Sequence, residues 1–246
     1  MIVRKINSGW EVIYQHAHGL LAGQIANQLK HNLRPDLWVE TLTAVIEHDD
    51  NQLNFEEKSY LNQAGMPQDF TEVERSCEEN LERAKRVIEI AQRKSGWIAL
   101  LISMHIDFLY GDLENDATFK SFLKDQNDLR KKLRKHYNVN KATAKSYYEL
   151  LRFCDRCSLI LCQNKFPALN RKLEINQSIN DKKYFIYLRD DGTLGVEPWI
   201  FEKKSFEVGV EKRNLDKASY NSNLELKEDL EKAEVLRLKW TFKYED

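Results

Sequence analysis

The sequence predicts a mainly α protein, in which a helical bundle is joined to a small antiparallel β subdomain formed by the N- and C-terminal segments. Apolar residues recur at helical intervals from about residue 16 to residue 162. Alternation of apolar and polar residues is confined to the regions near the two termini. With 246 residues, of which 42% are hydrophobic, the chain is long enough and apolar enough to form a core.

The first predicted element is a β-hairpin over residues 2–14. Its two alternating stretches are separated by Asn7, Ser8 and Gly9, which are turn-forming residues. About six helices are expected after it, because turn or capping residues interrupt the helical pattern. These interruptions fall at residues 32–35, 65–67, 95–96, 111–112 and 138–141.

The pattern changes to period two beyond Pro167, which predicts strands near residues 184–188, 206–210 and 236–244. Residues 223–234 are highly charged and predict a short helix with a solvated face. A lone hairpin is marginally stable in water, so the N-terminal hairpin is expected to join the C-terminal strands. The predicted domains are therefore a helical domain of residues 15–166 and a β subdomain of residues 1–14 plus 180–246.

The charge and composition of the chain indicate which partners and which location to expect. The 38 basic and 39 acidic side chains give a formal net charge of −1, so neither nucleic acid nor an anionic membrane is the expected partner. The sequence has neither a signal-peptide pattern nor a run of about 18 apolar residues, and a cytoplasmic location is expected. Three of the four cysteines, Cys154, Cys157 and Cys162, are crowded into one predicted helix, which favours buried, reduced thiols over a disulfide framework.

Asp155 interrupts an otherwise apolar helix, and it is the last of four metal-type ligands. His18, His48 and Asp49 precede it, each in or at the end of an amphipathic helical segment. Ionised carboxylates are rarely buried without a partner, so the four residues predict one metal site. A mixed nitrogen and oxygen ligand set suits Mn, Fe, Ni, Co or Zn ions and is typical of a catalytic site. The alternative is an ion pair of Asp155 with Arg152 or Arg156.

The order of these ligands resembles that of the HD superfamily of metal-dependent phosphohydrolases. This resemblance implies an HD-like helical bundle in which His18, His48, Asp49 and Asp155 hold a divalent ion, and in which a metal-activated water attacks a phosphoryl group. It also implies that His105 is an additional ligand, because two-metal members of the superfamily add histidines between the His-Asp pair and the last Asp.

A closer resemblance, to an uncharacterised bacterial family of this general type, covers nearly the whole chain. In that family the second histidine is usually followed by Asp-Gly-Trp, whereas residues 50–52 here are Asp50, Asn51 and Gln52. The matching segments are residues 15–26, 47–50, 65–67, 103–105 and 155–162.

Four further polar residues are candidates for roles around the site. Arg130 shares a helix face with Gln126 and is a candidate phosphate clamp, although the charged residues around it also fit a solvated face. Asp50 is expected to hold a ligand histidine or to cap a turn. His16, two residues before His18, points away from it on a helix and is expected to be an outer or surface residue.

The sequence thus predicts a metal-dependent hydrolase of a small phosphorylated molecule, with Asp49 and Arg130 as catalytic candidates. Two alternatives remain open: a di-iron oxygenase with the same ligands, and a non-catalytic ligand-binding or regulatory module. The aromatic residues Trp199, Phe206 and Trp240 are expected in the core of the β subdomain; the two alternatives are that they cover the metal site or form a homodimer surface.

Overall fold

The computed structural model describes residues 1–49, 53–56, 58–167, 171–179 and 182–245. The helices in this part of the chain are α1 (Gln15–Ala26), α2 (Trp38–Ile46), α3 (Cys77–Lys94), α4 (Gly96–Tyr110), α5 (Lys120–His136), α6 (Lys141–Cys162) and α7 (Asn223–Lys232). The strands are β1 (Ile2–Ile6), β2 (Gly9–Ile13), β3 (Leu173–Ile179), β4 (Lys182–Leu188), β5 (Leu194–Glu197), β6 (Ser205–Leu215) and β7 (Val235–Lys243).

The prediction of a mainly α bundle with a small β appendage is wrong, and so is an all-α description. The protein is 47% helical and 21% strand, and its strands form one mixed sheet that curls into a half-barrel. The order of the seven strands is β1-β2-β6-β7-β5-β4-β3. The sheet is not purely antiparallel either, because β5 and β7 pair in parallel. Helices and a large sheet therefore share the fold.

Strands from distant parts of the sequence pair in this sheet, which makes it larger than expected. The N-terminal hairpin does pair with the C-terminal strands, through Trp10 to Val12 of β2 and Leu215 to Arg213 of β6. Strand β6 is long enough to pair with β2 on one side and with β7 on the other. The short strand β5 then links this half of the sheet to β4 and β3.

The helices begin where the sequence offers capping groups. Ser76 and Glu79 form a capping box at the start of α3, and the side chains of Ser95 and Asn140 cap α4 and α6. Helices α4 and α6 bury residues on most of their surface, which places them in the middle of the helical layer. Two polar side chains that belong to the site, His105 and Asp155, therefore lie on largely buried helices.

Helix α1 connects the helical layer to the sheet. The side chain of Gln24 bonds to the backbone of Gly209 in β6 through both its donor and its acceptor, at 2.9 Å and 3.0 Å. Helix α1 also packs on α2 and α6, and α6 packs on β3. The position of His18 in α1 is thus fixed from the sheet as well as from the neighbouring helices.

One hydrophobic core contains residues of both layers. The ring of Phe153 in α6 contacts the rings of Tyr184 in β4 and of Phe201, with centroids 5.6 Å and 6.1 Å away. A second, smaller cluster, which includes Val12, Leu215 and Leu226, holds α7 against the sheet. No helix in the described ranges is both long and apolar enough to cross a membrane.

Candidate metal centre

Four helical segments bring His18, His48, Asp49, His105 and Asp155 together. His18 lies in α1, His105 in α4 and Asp155 in α6, whereas His48 and Asp49 follow the end of α2. Neighbouring side chains on a helix diverge by roughly 100°. Because α2 ends at Ile46, this constraint does not apply to His48 and Asp49, and both side chains reach the same point.

The ligand atoms of these residues lie within a few ångströms of one another. Oδ1 of Asp155 is 3.4 Å from Nε2 of His18 and 3.2 Å from Nε2 of His48. Oδ2 of Asp49 is 4.0 Å and 3.7 Å from the same two nitrogens. Nε2 of His105 is 3.9 Å from Oδ1 of Asp49. We refer to these five residues as the His/Asp cluster.

The spacing fits ligands that share one ion. Two ligands that each lie about 2.0–2.2 Å from an ion are themselves about 2.8–4.4 Å apart, depending on the angle between them. Five nitrogen-to-oxygen distances between the histidines and the carboxylates fall in this range, from 3.2 Å to 4.0 Å. The donor set of imidazole nitrogens and carboxylate oxygens is that of a transition-metal or zinc site.

Two of the histidines are oriented by hydrogen bonds on their outer nitrogen. Nδ1 of His48 donates to the carbonyl of Val45 at 2.8 Å. The hydroxyl of Ser158 donates to the carbonyl of Asp155 at 2.8 Å, so its oxygen accepts from Nδ1 of His18, also at 2.8 Å. With the proton on Nδ1, the neutral form of each ring presents the lone pair of Nε2, which is the arrangement of metal-binding histidines.

The Nε2 atoms of His18 and His48 are buried and have no hydrogen-bond partner among the described residues. The carboxylate of Asp155 is close to both, but its direction does not meet hydrogen-bond geometry. Buried ring nitrogens are normally paired, so a ligand between these two atoms would account for them. A metal ion between them and the two carboxylates would satisfy both.

The electrostatics of the cluster favour a positive charge beside its carboxylates. Burial lowers the pKa of His48, but the carboxylates of Asp155 and Asp49 outweigh it and raise the pKa to about 10. Burial raises the pKa of Asp155, yet His48 and His18 hold it well below its usual range. Burial and the charge of His48 lower the pKa of His105 to about 4. Without an ion, a proton on His48 therefore balances the carboxylates.

The alternative explanation of Asp155, an ion pair with an arginine, is not found among the described residues. Arg152 lies 3.4 Å from Glu149 and stacks on Phe108, while Arg156 is exposed. The groups at ion-pair distance from Asp155 are the two histidines, His18 and His48. The acid in the apolar helix is thus explained by the cluster.

Arg130 does not reach the cluster. Its guanidinium donates to the carbonyl of Ser103 at 3.0 Å and to Asp107 at 2.8 Å, and it lines a different cavity from the one that Asp49 lines. His16 is exposed, as expected for a residue outside the site. Asp50, which is predicted to hold a ligand histidine or to cap a turn, lies outside the described residues together with Asn51 and Gln52.

Two polar residues that support the cluster were missed in the sequence. Ser158 orients His18, and the hydroxyl of Tyr148 lies 3.3 Å from Nδ1 of His105. Both share a face of α6 with Asp155, because they lie three residues after it and seven residues before it. That spacing, measured from the buried acid, was the signal that could have identified them.

A cavity of about 510 Å³ adjoins the cluster, and Asp49 is part of its wall. Residues of the segment before α3 and of α3 itself form much of the rest, including Lys58, Arg75 and Arg83. We call it the Asp49 cavity. The side chain of Asp49 is 25% exposed and that of Asp155 is 15% exposed, while the histidines are buried. The cluster is thus reached from the side of its carboxylates.

The fold and the cluster define an α+β protein with a buried histidine and carboxylate constellation beside a cavity. The family described as "Protein of unknown function (DUF3891)" matches residues 1–217, so the chain belongs to that family. No curated protein and no solved structure matches the chain.

Proposed function

We propose that the protein is a metal-dependent hydrolase that acts on a small phosphorylated molecule, with a Mn, Fe, Ni, Co or Zn ion as its cofactor. The observation that supports this most directly concerns the buried Nε2 atoms of His18 and His48, which lie next to two carboxylates and have no hydrogen-bond partner in the described part of the chain. The order of His18, His48, Asp49 and Asp155 along the chain resembles that of the ligands in the HD superfamily, although the protein is not a mainly α bundle.

Each residue has a role in this proposal. His18, His48, Asp49 and Asp155 hold the ion, and His105 is a fifth ligand. A bound ion of this kind lowers the pKa of a coordinated water and polarises a phosphoryl oxygen. Asp49 belongs both to the cluster and to the cavity wall, so a substrate in the Asp49 cavity meets the cluster on this side. The imidazoles of the cluster are themselves buried.

The first experiment is elemental analysis of the purified protein by mass spectrometry, before and after reconstitution with each metal. We expect near-stoichiometric metal in the wild type and its loss in Asp49→Ala, because the substitution removes one of two carboxylate ligands. Asp107→Ala is the matched control, since Asp107 is an exposed acid paired with Arg130 outside the cluster. A wild type that stays metal-free with all five metals would contradict the proposal.

The second experiment measures phosphate release from mono-, di- and cyclic nucleotides, with and without added metal. Release that requires metal and disappears in Asp49→Ala, but persists in Asp107→Ala, is the expected result. If the metal-loaded protein releases no phosphate from any of them, hydrolysis of phosphate esters is the wrong activity.

A second candidate activity, di-iron oxygenation, is favoured by the fifth ligand. The cluster contains two overlapping ligand groups that share His48: one with His18 and Asp49, the other with His105 and Asp155. The rings of His48 and His105 are 5.0 Å apart. Two iron atoms per chain together with oxygen uptake, in place of phosphate release, would support this activity.

A further inference from the structure

A second cavity, between α4, α5 and α6, has a strongly basic wall. Its volume is about 460 Å³, within the usual range of about 300–1,000 Å³ for sites that bind small molecules. We call it the α5/α6 cavity. None of the described residues on its wall belongs to the Asp49 cavity. The cations on this wall are Arg130, Lys131, Arg134, Lys141 and Lys145, and the acids are Asp107 and Glu149.

Both of these acids already have partners. Asp107 accepts from the guanidinium of Arg130 at 2.8 Å. Glu149 is buried and lies 3.4 Å from Arg152. The acids of the wall therefore do not balance its remaining cations.

Three of the five cations have no ion pair in the described part of the chain, namely Arg134, Lys141 and Lys145. Lys131 differs from them, because it pairs with Asp128 at 2.9 Å. Arg134 is half-buried, whereas the other two side chains are exposed. Like charges that line one concave space repel one another, and partial burial of a guanidinium adds to this cost. A bound anion would offset both effects.

The start of α6 adds to the positive charge of this cavity. The helix begins at Lys141, and its first turn contains no acid. The N-terminal end of a helix carries about half a positive charge, which acidic side chains usually balance. Here two lysines, Lys141 and Lys145, lie one turn apart on the cavity wall instead. The helix end and the three unpaired cations thus favour the same kind of ligand.

We propose that the α5/α6 cavity binds a small anion with more than one phosphate group, at a site separate from the His/Asp cluster. A single phosphate group carries at most about two negative charges near neutral pH, fewer than the three unpaired cations. Lysines bind phosphate oxygens as mobile point charges, and the guanidinium of Arg134 presents a planar set of donors. A chain of two or three phosphates matches both the charge and the size of the cavity.

The distribution of charge on α5 favours a small ligand over a nucleic acid. Exposed acids, Asp125 and Asp128, interrupt the outer surface of this helix. Nucleic acids bind along extended basic surfaces, and the whole chain has a formal net charge of −1. The unpaired cations instead line one bounded space between helices.

The test measures binding of tripolyphosphate by titration calorimetry in about 0.15 M salt, which screens distant charges. Metal-free protein is used, because tripolyphosphate chelates metal ions. The variants are Arg134→Gln and Lys145→Gln, and the matched control is Lys132→Gln, which removes an exposed lysine of α5 that is not on the cavity wall.

We expect Arg134→Gln to weaken binding about 10-fold or more, because a charge-assisted hydrogen bond from a half-buried group is lost. Lys145→Gln should weaken it about 3-fold or more, since this lysine is exposed. Lys132→Gln should bind as the wild type does. Equal effects of Lys132→Gln and Lys145→Gln would overturn the site, because only the net charge would then matter. Binding that is undetectable at millimolar tripolyphosphate in the wild type would overturn it too.

Three comparisons test the location and the class of the ligand. Lys58→Gln changes the Asp49 cavity and should leave binding unchanged; the proposal fails if this variant loses affinity while Lys145→Gln does not. Citrate should bind more weakly than tripolyphosphate, and equal affinities would contradict the preference for phosphate. An oligothymidylate of about ten nucleotides should also bind more weakly, and tighter binding would identify a nucleic-acid surface instead.

Discussion

At the residue scale, the orientation of His18 depends on one hydroxyl group. Ser158 accepts from Nδ1 of His18 and thereby leaves Nε2 to face the cluster. Such outer partners of ligand histidines typically contribute 10- to 100-fold in metal affinity. We therefore predict that Ser158→Ala lowers metal affinity by about that factor, measured by competition with a chelating dye, while the helix remains folded.

The control for this substitution is Ser103→Ala. Ser103 is equally buried and its hydroxyl is 3.4 Å from the carbonyl of Gln126, but it does not contact a ligand histidine. Both variants are expected to lose about 1 kcal/mol of unfolding free energy, because each loses a buried hydrogen bond. Equal metal affinities in the two variants would show that Ser158 does not orient His18.

The cysteines provide a second prediction at this scale. Cys154, Cys157 and Cys162 are buried and Cys77 is partly exposed, and all four are free thiols. Burial raises the pKa of Cys162 to about 12 and raises the pKa values of the thiols of Cys154 and Cys157 as well. We expect iodoacetamide to modify Cys77 alone in the folded protein and all four thiols after unfolding, as counted by mass spectrometry. Rapid modification of Cys154 or Cys157 in the folded protein would indicate an accessible dithiol.

Imidazole and carboxylate side chains inside apolar helices are rarely buried without a partner. The sequence could therefore predict the proximity of five residues, namely His18, His48, Asp49, His105 and Asp155. The position of Arg130 could not be predicted in the same way. It lies among many exposed charges of α5, and its partner Asp107 belongs to another helix, which spacing along the chain does not reveal.

At the element scale, close packing of α1 on α2 sets the distance between His18 and His48. A Cβ atom added at Gly19 would lie 2.3 Å from the backbone oxygen of Ile46, at the end of α2. One added at Gly23 would meet the side chain of the same residue, at 2.5 Å. A backbone oxygen cannot rotate away, whereas an isoleucine side chain can adjust. The two glycines should therefore respond differently to the same change.

We predict that Gly19→Ala costs about 1–3 kcal/mol of unfolding free energy, as overpacked sites usually do, and that it weakens metal binding because α2 must shift. Gly23→Ala should cost less. Gly111→Ala is the control, because an added Cβ there meets no atom within 4 Å. Chemical denaturation measures the stability of all three, and metal titration measures the second effect. Full metal affinity in Gly19→Ala would mean that the packing does not position His48.

The strands show where element prediction from sequence failed. The N-terminal hairpin has alternating residues on both sides of a turn and was recognisable. Strand β3 was not, because polar residues interrupt its alternation. One of them, Asn176, is buried and donates to the carboxylate of Glu149 at 3.0 Å. A buried polar residue whose side-chain amide donates to α6 looks like a loop residue until that partner is known.

At the scale of the whole molecule, the shared core links the helices to the sheet. Phe153 and Phe201 are fully buried, and their rings join α6 to the sheet residues Phe206 and Phe242. The division into a helical domain and a β subdomain remains a prediction about units of the chain. Whether these units unfold separately depends on how much stability they take from this common core.

We predict a single unfolding transition in calorimetry, with equal calorimetric and van't Hoff enthalpies, because both layers lose the same apolar contacts when either opens. Phe201→Ala should lower the unfolding free energy by about 3–5 kcal/mol, as for other buried phenylalanines. It should also shift the loss of helical circular dichroism by the same amount as the calorimetric midpoint. Phe108→Ala, which changes a ring that is 52% exposed, should cost about 0.5 kcal/mol or less. If Phe201→Ala instead separates two transitions and the helical one keeps the wild-type midpoint and full metal affinity, the His/Asp cluster is stable without the sheet.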